Sequence, residues 1–130
     1  MYFRYTGIRV RNLKRSLRFY TEVMGMKLNL KGKMKHGGIW VELKSPHSAQ
    51  RLELNYYPPR TKYHEKFKTG SEMDHLAFWV KDVEREYKQL VKKGVGKAVE
   101  PFAQGKYEFA FLKDPDGIWI ELIGRAKRQG

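Results

Sequence analysis

Near the start of the chain, the spacing of apolar residues changes from a period of two to a period of three or four. Thr6, Ile8 and Val10 lie two positions apart, which is typical of a strand with one buried face. Asn12 is a good helix N-cap, and Gly25 is typical of a residue that ends a helix. The apolar stripe between them consists of Leu13, Leu17, Tyr20 and Met24. This pattern predicts a strand followed by a helix.

The same succession occurs again in the second half of the chain. Leu76, Phe78 and Val80 alternate with other residues as in a strand. Asp82 is then a candidate N-cap, and Gly94 is a candidate helix stop. The second helical stripe consists of Val83, Tyr87, Leu90 and Val91. The repetition indicates two copies of one structural unit.

Each predicted helix is followed by three strand-like runs, which glycine-rich or polar turns separate. In the first copy these runs are residues 27–30, 39–43 and 51–57, and in the second copy they are residues 97–100, 107–112 and 118–123. The sequence therefore predicts an α+β fold of two βαβββ modules in tandem.

The predicted organisation is a single domain over residues 1–130. The modules span about residues 1–57 and 73–124, and a linker over 58–72 begins with two prolines. Residues 125–130 form a basic tail. We expect a small pocket for a metal or a ligand where the two copies meet.

Composition restricts the chemistry that such a pocket supports. The chain has no cysteine, so any metal must be held by oxygen and nitrogen ligands. No apolar run approaches the roughly 18 residues of a membrane span, and the N-terminus does not resemble a secretion signal, so we expect a cytoplasmic protein. The net charge is +13, but the basic residues are scattered rather than gathered into one stripe. This distribution disfavours nucleic acid as a partner.

Four polar residues occupy matching positions in the two copies. Tyr5 and His75 lie in the first strands, and Glu53 and Glu121 lie between aliphatic residues in the last strands. Residues two apart in a strand share a face, so His75 lies on the same face as Trp79. A carboxylate on such a partly apolar face is costly unless it is paired, hydrogen-bonded or metal-bound. Two carboxylates and a histidine predict an O/N site for a divalent ion.

A simpler interpretation of these residues stays open. Glu53 and Glu121 are also compatible with ordinary solvent-facing strand positions, and His75 with a core or surface histidine. The remaining histidines have no counterpart in the other copy, and we expect them to be surface loop residues: His36, His47 and His64.

Three stretches of the chain carry a more specific pattern. They are IRVRNLKRSLRFYTEVMGMKL (residues 8–28), DHLAFWVKDVE (74–84) and FLKDPDGIWIELI (111–123). These stretches resemble the vicinal oxygen chelate superfamily, and within it the lactoylglutathione lyases and bleomycin-resistance-like proteins. The resemblance implies a glyoxalase-like fold, in which βαβββ modules form a curled mixed sheet around a metal. It also implies a homodimer.

The resemblance implies a ligand set as well. In lyases of this superfamily the metal takes one ligand from the first and one from the last strand of each module, which here are Tyr5, Glu53, His75 and Glu121. Many members have His or Gln where this chain has Tyr5. A phenol with a pKa near 10 is a poor neutral ligand, although a metal favours the phenolate. Tyr5 therefore ligates the metal, or hydrogen-bonds a metal-bound water, or marks a site that binds ligands without metal.

The activity that the resemblance implies is that of a metal-dependent lyase or isomerase. The ion would be Ni, Co, Mn or Zn, and the substrate a small molecule with vicinal oxygens that reacts through an enediolate. Glu121 would be the catalytic base, with Glu53 and His75 as permanent ligands. The apolar wall of the pocket would be formed by Trp79, Phe109, Phe111 and Trp119.

The excess of positive charge predicts an anionic substrate. Arg9 and Arg51 are the candidate contacts, because each shares a strand face with a predicted ligand.

Three other functions remain compatible with the sequence. The first is a metal-free protein of the bleomycin-resistance type that sequesters a ligand or drug, and the second is an epimerase of a coenzyme A ester. The third, an extradiol dioxygenase, needs two histidines and one carboxylate around iron. The positions carried over here offer only His75, so this function is the least favoured.

Overall fold

The strands and helices occur in the order that the sequence predicts. We describe them from a computed structural model that covers residues 1–115 and 117–127. The first half contains β1 (Tyr2–Arg9), α1 (Leu13–Arg18), β2 (Lys27–Lys33), β3 (Ile39–Lys44) and β4 (Arg51–Tyr56). The second half contains β5 (Met73–Trp79), α2 (Val83–Lys92), β6 (Gly96–Gln104), β7 (Tyr107–Lys113) and β8 (Trp119–Arg125). The predicted α+β class with two βαβββ modules is confirmed.

Both helices begin at the predicted capping side chains. Asn12 accepts a hydrogen bond from the backbone N–H of Arg15, and Asp82 accepts one from Arg85. These bonds satisfy N–H groups that have no partner within the helix. One π-helical turn, Phe19–Val23, extends α1 beyond its regular part.

β2 and β6 are each longer than the sequence predicts, and for β6 the reason is its irregular pairing with β7. Pro101 directly follows the predicted run of residues 97–100, and proline has no N–H to donate to a neighbouring strand. The pairing register of β6 with β7 shifts between Val99 and Phe102, so Pro101 lies in an irregular stretch where a ladder hydrogen bond is not required.

The chain divides into two compact units. The first unit comprises residues 5–74, and the second comprises residues 1–4 and 75–130. Of the predicted basic tail, Arg125 ends β8, and residues 128–130 lie outside the described residues. Across the described part of the chain, no helix has both the length and the apolar character needed to cross a membrane.

In the first unit, the strand order is β2-β3-β4-β1. β1 is parallel to β4, whereas β3 is antiparallel to both β2 and β4. The buried core consists of Val10, Val41, Leu43 and Leu54, and Leu13 and Leu17 of α1 pack against it. One face of this mixed sheet is therefore covered by the helix, and the alternate residues of the strands lie on the opposite face.

In the second unit, the order is β5-β8-β7-β6. β5 is parallel to β8, and β7 is antiparallel to β8 and β6. The core consists of Val80, Val83, Tyr87, Ala110, Leu112 and Leu122, and it joins α2 to one face of the sheet. The same arrangement thus occurs in both units, as the sequence repeat predicts.

The linker, residues 58–72, has neither helix nor strand. Residues at the end of β1 and just after it nevertheless hold the linker in place within the first unit. The backbone N–H of Arg9 donates to the carbonyl of Glu72, and Arg9 Nη1 lies 3.1 Å from Glu65 Oε2. The guanidinium of Arg11 lies 4.0 Å from the centre of the Phe67 ring, a cation–π contact. Arginine side chains therefore hold the middle of the linker, and the backbone of Arg9 holds its end.

Arg9 and Tyr57 share one partly buried carboxylate. Arg9 Nη2 lies 3.0 Å from Asp74 Oδ1, and the Tyr57 hydroxyl donates to Asp74 Oδ2 at 2.8 Å. Burial and, after it, the negative charge of Asp74 raise the pKa of the Tyr57 phenol far above its ordinary value. The phenol proton is thus retained in the folded protein at pH values where an exposed tyrosine loses it.

We predict that Gly124→Ala destabilises the second unit. A β-carbon at Gly124 would lie 2.5 Å from the carbonyl oxygen of Val80 and 3.2 Å from Val83 Cγ2, both in the buried core. Such overpacking costs about 1–3 kcal/mol of the free energy of unfolding, measured in urea. Gly96→Ala is the matched control, because its β-carbon would make only an ordinary 3.6 Å contact with Lys113 Cβ. Equal losses in the two variants would contradict this account.

We also predict that Tyr57→Phe changes the alkaline stability profile. Near pH 8 the variant should be less stable by about 1 kcal/mol, because the hydrogen bond to Asp74 is lost. Above about pH 10 the unfolded chain releases the Tyr57 proton while the folded chain keeps it, so wild-type stability falls by about 1.4 kcal/mol per pH unit from this site. The wild-type advantage should therefore shrink between pH 10 and 11, as followed by urea unfolding.

The control for this measurement is Tyr2→Phe, which removes an exposed phenol of β1. A wild-type advantage over Tyr57→Phe that stays constant from pH 8 to 11 would be inconsistent with a retained Tyr57 proton.

Candidate functional site

In the second unit, His75 and Glu121 lie on the sheet face opposite the helix. β5 and β8 are neighbours, with His75 opposite Trp119 and Ala77 opposite Glu121. His75 Nε2 lies 3.8 Å from Glu121 Oε2, and the two residues are only 5% and 6% exposed. This distance is longer than that of a hydrogen bond. The two side chains form an ion pair when His75 is protonated. The second unit thus contains a buried imidazole–carboxylate pair.

Aromatic rings surround this pair. Phe111 lies directly opposite Glu121 across the β7–β8 ladder. Its ring centre is 6.2 Å from that of His75 and 5.5 Å from that of Trp119. Because these aromatic rings exclude water, the medium around the carboxylate and the imidazole has a low dielectric constant. Electrostatic interactions of the two groups are therefore stronger than they would be in water.

The other predicted aromatic residues lie on the same face. Trp79 and Phe109 both pair with Ile123 of β8, two residues beyond Glu121. Trp79 makes an edge contact with Tyr107, and Phe109 stacks on the ring of Phe102. They form an apolar wall beside Glu121, and their contact with a substrate stays a prediction.

In the first unit, Tyr5 and Glu53 also lie on the sheet face opposite the helix. Gly7 of β1 is opposite Glu53 of β4, and Tyr5 is two residues before Gly7, so the two side chains share this face. Both residues are buried. The first unit therefore has its own buried phenol and carboxylate at the positions that match His75 and Glu121.

Glu42 is a further buried carboxylate on this face, and the sequence analysis did not single it out. It lies opposite Glu53 in the β3–β4 ladder and is 4% exposed. Asn29 Nδ2 donates to Glu42 Oε1 at 2.7 Å, and Arg51 Nε is 3.5 Å from the same oxygen. Asn29 occupies a bulge of β2, which directs its amide at Glu42.

A signal for Glu42 was present in the sequence. Val41 and Leu43 are apolar and flank Glu42, which is the pattern of a strand with Glu42 on the non-core face. The pairing of β3 with β4 then determines that Glu42 lies opposite Glu53, and this register is not readable from β3 alone.

The two arginines predicted to contact an anionic substrate both have carboxylate partners in the first unit. Arg9 is paired with Asp74 and Glu65. Arg51 is paired with Glu42, and its Nη1 donates to the carbonyls of Ser48 and Gln50. The positive charge of each guanidinium is thus compensated locally, and a role in substrate binding stays a prediction.

His36 differs from the expectation of a surface residue. Its ring stacks on Tyr57 with centres 5.9 Å apart and makes an edge contact with Tyr63, and its Nδ1 atom is buried. Burial and then the positive charge of Lys62 lower the pKa of His36, so its imidazole is neutral near pH 7. His36 is therefore part of the packing between the β2–β3 loop and the linker.

The donor types of the candidate site fit a divalent metal. His75 offers a nitrogen and Glu121 an oxygen, which are ligands that divalent transition metals accept. Among residues 1–115 and 117–127, no group of three or more His, Asp or Glu side chains is gathered closely enough to hold an ion. The second unit thus supplies one nitrogen and one oxygen donor for such an ion.

Comparison with solved structures supports the fold. The crystal structure of methylmalonyl-CoA epimerase from Mycobacterium tuberculosis superimposes with a TM-score of 0.78, over 96% of this chain and 88% of that one. The sequences are 24% identical, so this likeness shows a shared fold and no more.

Relatives in sequence cover most of the chain. A probable lactoylglutathione lyase of Vibrio parahaemolyticus is 33% identical over 92% of this chain and 87% of its own length. The lactoylglutathione lyase of Haemophilus influenzae is 31% identical over 92% of this chain and 89% of its own length. The family model of the Glyoxalase/Bleomycin resistance protein/Dioxygenase superfamily matches residues 2–122. The predicted resemblance and glyoxalase-like fold are confirmed, and the chain belongs to this superfamily.

Proposed function

We propose that this protein is an isomerising enzyme of the lactoylglutathione lyase type, which moves a proton between two adjacent carbon atoms that both carry oxygen. The observation that carries the proposal is the buried His75–Glu121 pair on an aromatic face. Relatives at least 31% identical, which bear the name lactoylglutathione lyase, support the same activity. The substrate class is a small molecule with vicinal oxygens.

Glu121 is the proton carrier in this proposal. With lactoylglutathione as substrate, the Glu121 carboxylate takes the proton from the carbon that bears the hydroxyl group, and the electron pair of that C–H bond moves toward the thioester carbonyl. The resulting enediolate regains the proton from Glu121 at the former carbonyl carbon, and the proton of the original hydroxyl group passes to the oxygen of the former carbonyl group. The product is a hemithioacetal, which separates into a thiol and an oxoaldehyde. No proton is gained or lost overall.

The surroundings of Glu121 suit such a transfer. Phe111 and Trp119 limit the access of water, so few water molecules compete with substrate for the Glu121 carboxylate, although a proton held there still exchanges with solvent over repeated cycles. His75 Nε2 lies 3.8 Å from the Glu121 carboxylate, close enough for both side chains to act on one bound molecule or ion.

We also propose that Glu53, His75 and Glu121 bind a divalent ion, with Tyr5 as the remaining candidate ligand. This assignment rests on their positions in the family pattern and on their donor chemistry. Such an ion would supply Lewis-acid stabilisation of negative charge on the substrate oxygens.

Metal binding is tested by titrating Ni²⁺, Co²⁺, Mn²⁺ and Zn²⁺ into chelator-stripped protein and following the heat released. We expect about one ion per chain, and loss of binding in His75→Ala and Glu121→Gln because each removes a proposed ligand. His47→Ala, which changes an exposed loop histidine, is the matched control and should bind as the wild type does. Absence of binding by the wild type would eliminate the metal-dependent mechanism.

Proton transfer is tested by NMR of lactoylglutathione in D₂O, which follows exchange of the hydrogen on the hydroxyl-bearing carbon. We expect Glu121→Gln to lower the exchange rate by at least about 100-fold, because an amide does not act as a base. Glu22→Gln removes an exposed carboxylate from the helical turn after α1 and should leave the rate unchanged. Equal rates in Glu121→Gln and wild type would remove Glu121 from the mechanism.

A second candidate is a metal-free protein that sequesters a planar ligand on the aromatic face. Tyr5 favours it, because a buried phenol replaces the His or Gln that many superfamily members have at this position. Ligand binding would then be the same with and without a chelator, and no hydrogen exchange would occur.

An epimerase of a coenzyme A ester would use the same Glu121 chemistry, and exchange at the α-carbon of methylmalonyl-CoA distinguishes it from the lyase.

A further inference from the structure

The second unit contains a cavity of about 610 Å³ on the helix side of its sheet. Its apolar lining includes Phe78, Leu90, Val95, Leu112, Ile120 and Leu122. Leu112 and Leu122 belong to the buried core, whereas Ile120 is only partly buried. This volume lies within the range of about 300–1,000 Å³ that is usual for small-molecule sites.

The cavity is distinct from the candidate active site. Ile120 and Leu122 flank Glu121 in β8, so they point to the opposite face of the sheet. Neither His75 nor Glu121 lines the cavity. A ligand bound here would therefore not touch the proposed catalytic pair.

The polar residues of the cavity are mostly basic. Lys93, at the end of α2, and Lys113, at the end of β7, are exposed, and neither forms an ion pair with any residue that the structure describes. The acidic lining residue is Asp114, whose Oδ1 accepts the backbone N–H of Ile118 at 2.8 Å and so stabilises the turn before β8. The cavity thus combines an apolar interior with a surplus of positive charge.

We propose that this cavity binds a medium-chain alkyl carboxylate, with the chain against the apolar lining and the carboxylate at Lys93 and Lys113. A sugar or nucleotide fits poorly, since its polar groups would lie unpaired against leucine, valine and isoleucine side chains. A cationic amphiphile would be repelled by the two lysines. An alkyl chain gains affinity from apolar burial, and a carboxylate gains charge-assisted hydrogen bonds from the ammonium groups.

A chain-length series tests both parts of this proposal in the intact protein. We expect calorimetric titration with hexanoate, octanoate and decanoate, below their micellar concentrations, to give affinities that rise about tenfold for every two methylene groups. Decyltrimethylammonium, with the same chain and the opposite charge, should bind at least about tenfold more weakly than decanoate. Affinity independent of chain length, equal binding of the cation, or no binding of decanoate would each overturn the proposal.

Paired variants locate the binding. Ile120→Trp should fill the cavity and weaken decanoate binding at least about tenfold, whereas Ile120→Leu keeps the side-chain volume and should bind normally. Lys93→Glu should also weaken binding, whereas Lys92→Glu changes the neighbouring exposed lysine, which does not line the cavity, and should not. Equal effects within either pair would overturn the proposed location.

Methyl NMR gives a readout that does not depend on any variant. Decanoate should shift the methyl signals of Leu90, Val95 and Ile120, and leave those of Val41 and Leu54 in the first unit unchanged. The reverse pattern would place the ligand elsewhere and overturn the proposal.

Discussion

The organisation of both units depends on the alternation of side chains along a strand. In β8, Ile120 and Leu122 face the helix, and Glu121 between them must face away. The same rule puts Leu54 of β4 into the core and Glu53 on the opposite face. A shift of one residue in either strand would bury a carboxylate in the core, so the register is strongly specified. Core packing and the candidate chemistry are thus determined by the same constraint.

Local features of the fold could be predicted because their signals are local. The caps at Asn12 and Asp82 and the apolar stripes of the helices are readable within a few residues, and the repeat gave two independent readings of the same unit. The length of β6 was predicted wrongly, because the irregular pairing around Pro101 depends on its alignment with β7. The pairing register of two strands depends on the sequences of both strands, so it cannot be predicted from the sequence of one strand alone.

In the candidate site, too, the positions of residues within a strand could be predicted, whereas contacts between strands could not. Positions for His75 and Glu121 followed from periodicity and repetition, and their proximity became visible only in the paired strands. The carboxylate partners of Arg9 and Arg51 were not predictable, since Asp74 is 65 residues from Arg9 and the contact of Arg51 with Glu42 depends on the register of β3 against β4. Although the chain carries a net charge of +13, its buried charged positions on these faces are largely acidic. Overall charge is therefore a poor guide to the charge of the ligand that the candidate site would bind.

Arg9 holds the linker in two chemically different ways. Its guanidinium pairs with Glu65, and its backbone N–H donates to the carbonyl of Glu72. This amide belongs to a strand, yet its acceptor lies in the linker. Solvent exchange of this single amide hydrogen therefore reports detachment of the end of the linker, independently of the opening of the β1–β4 ladder. One backbone position thus serves as a spectroscopic marker for motion in a segment that has no regular structure of its own.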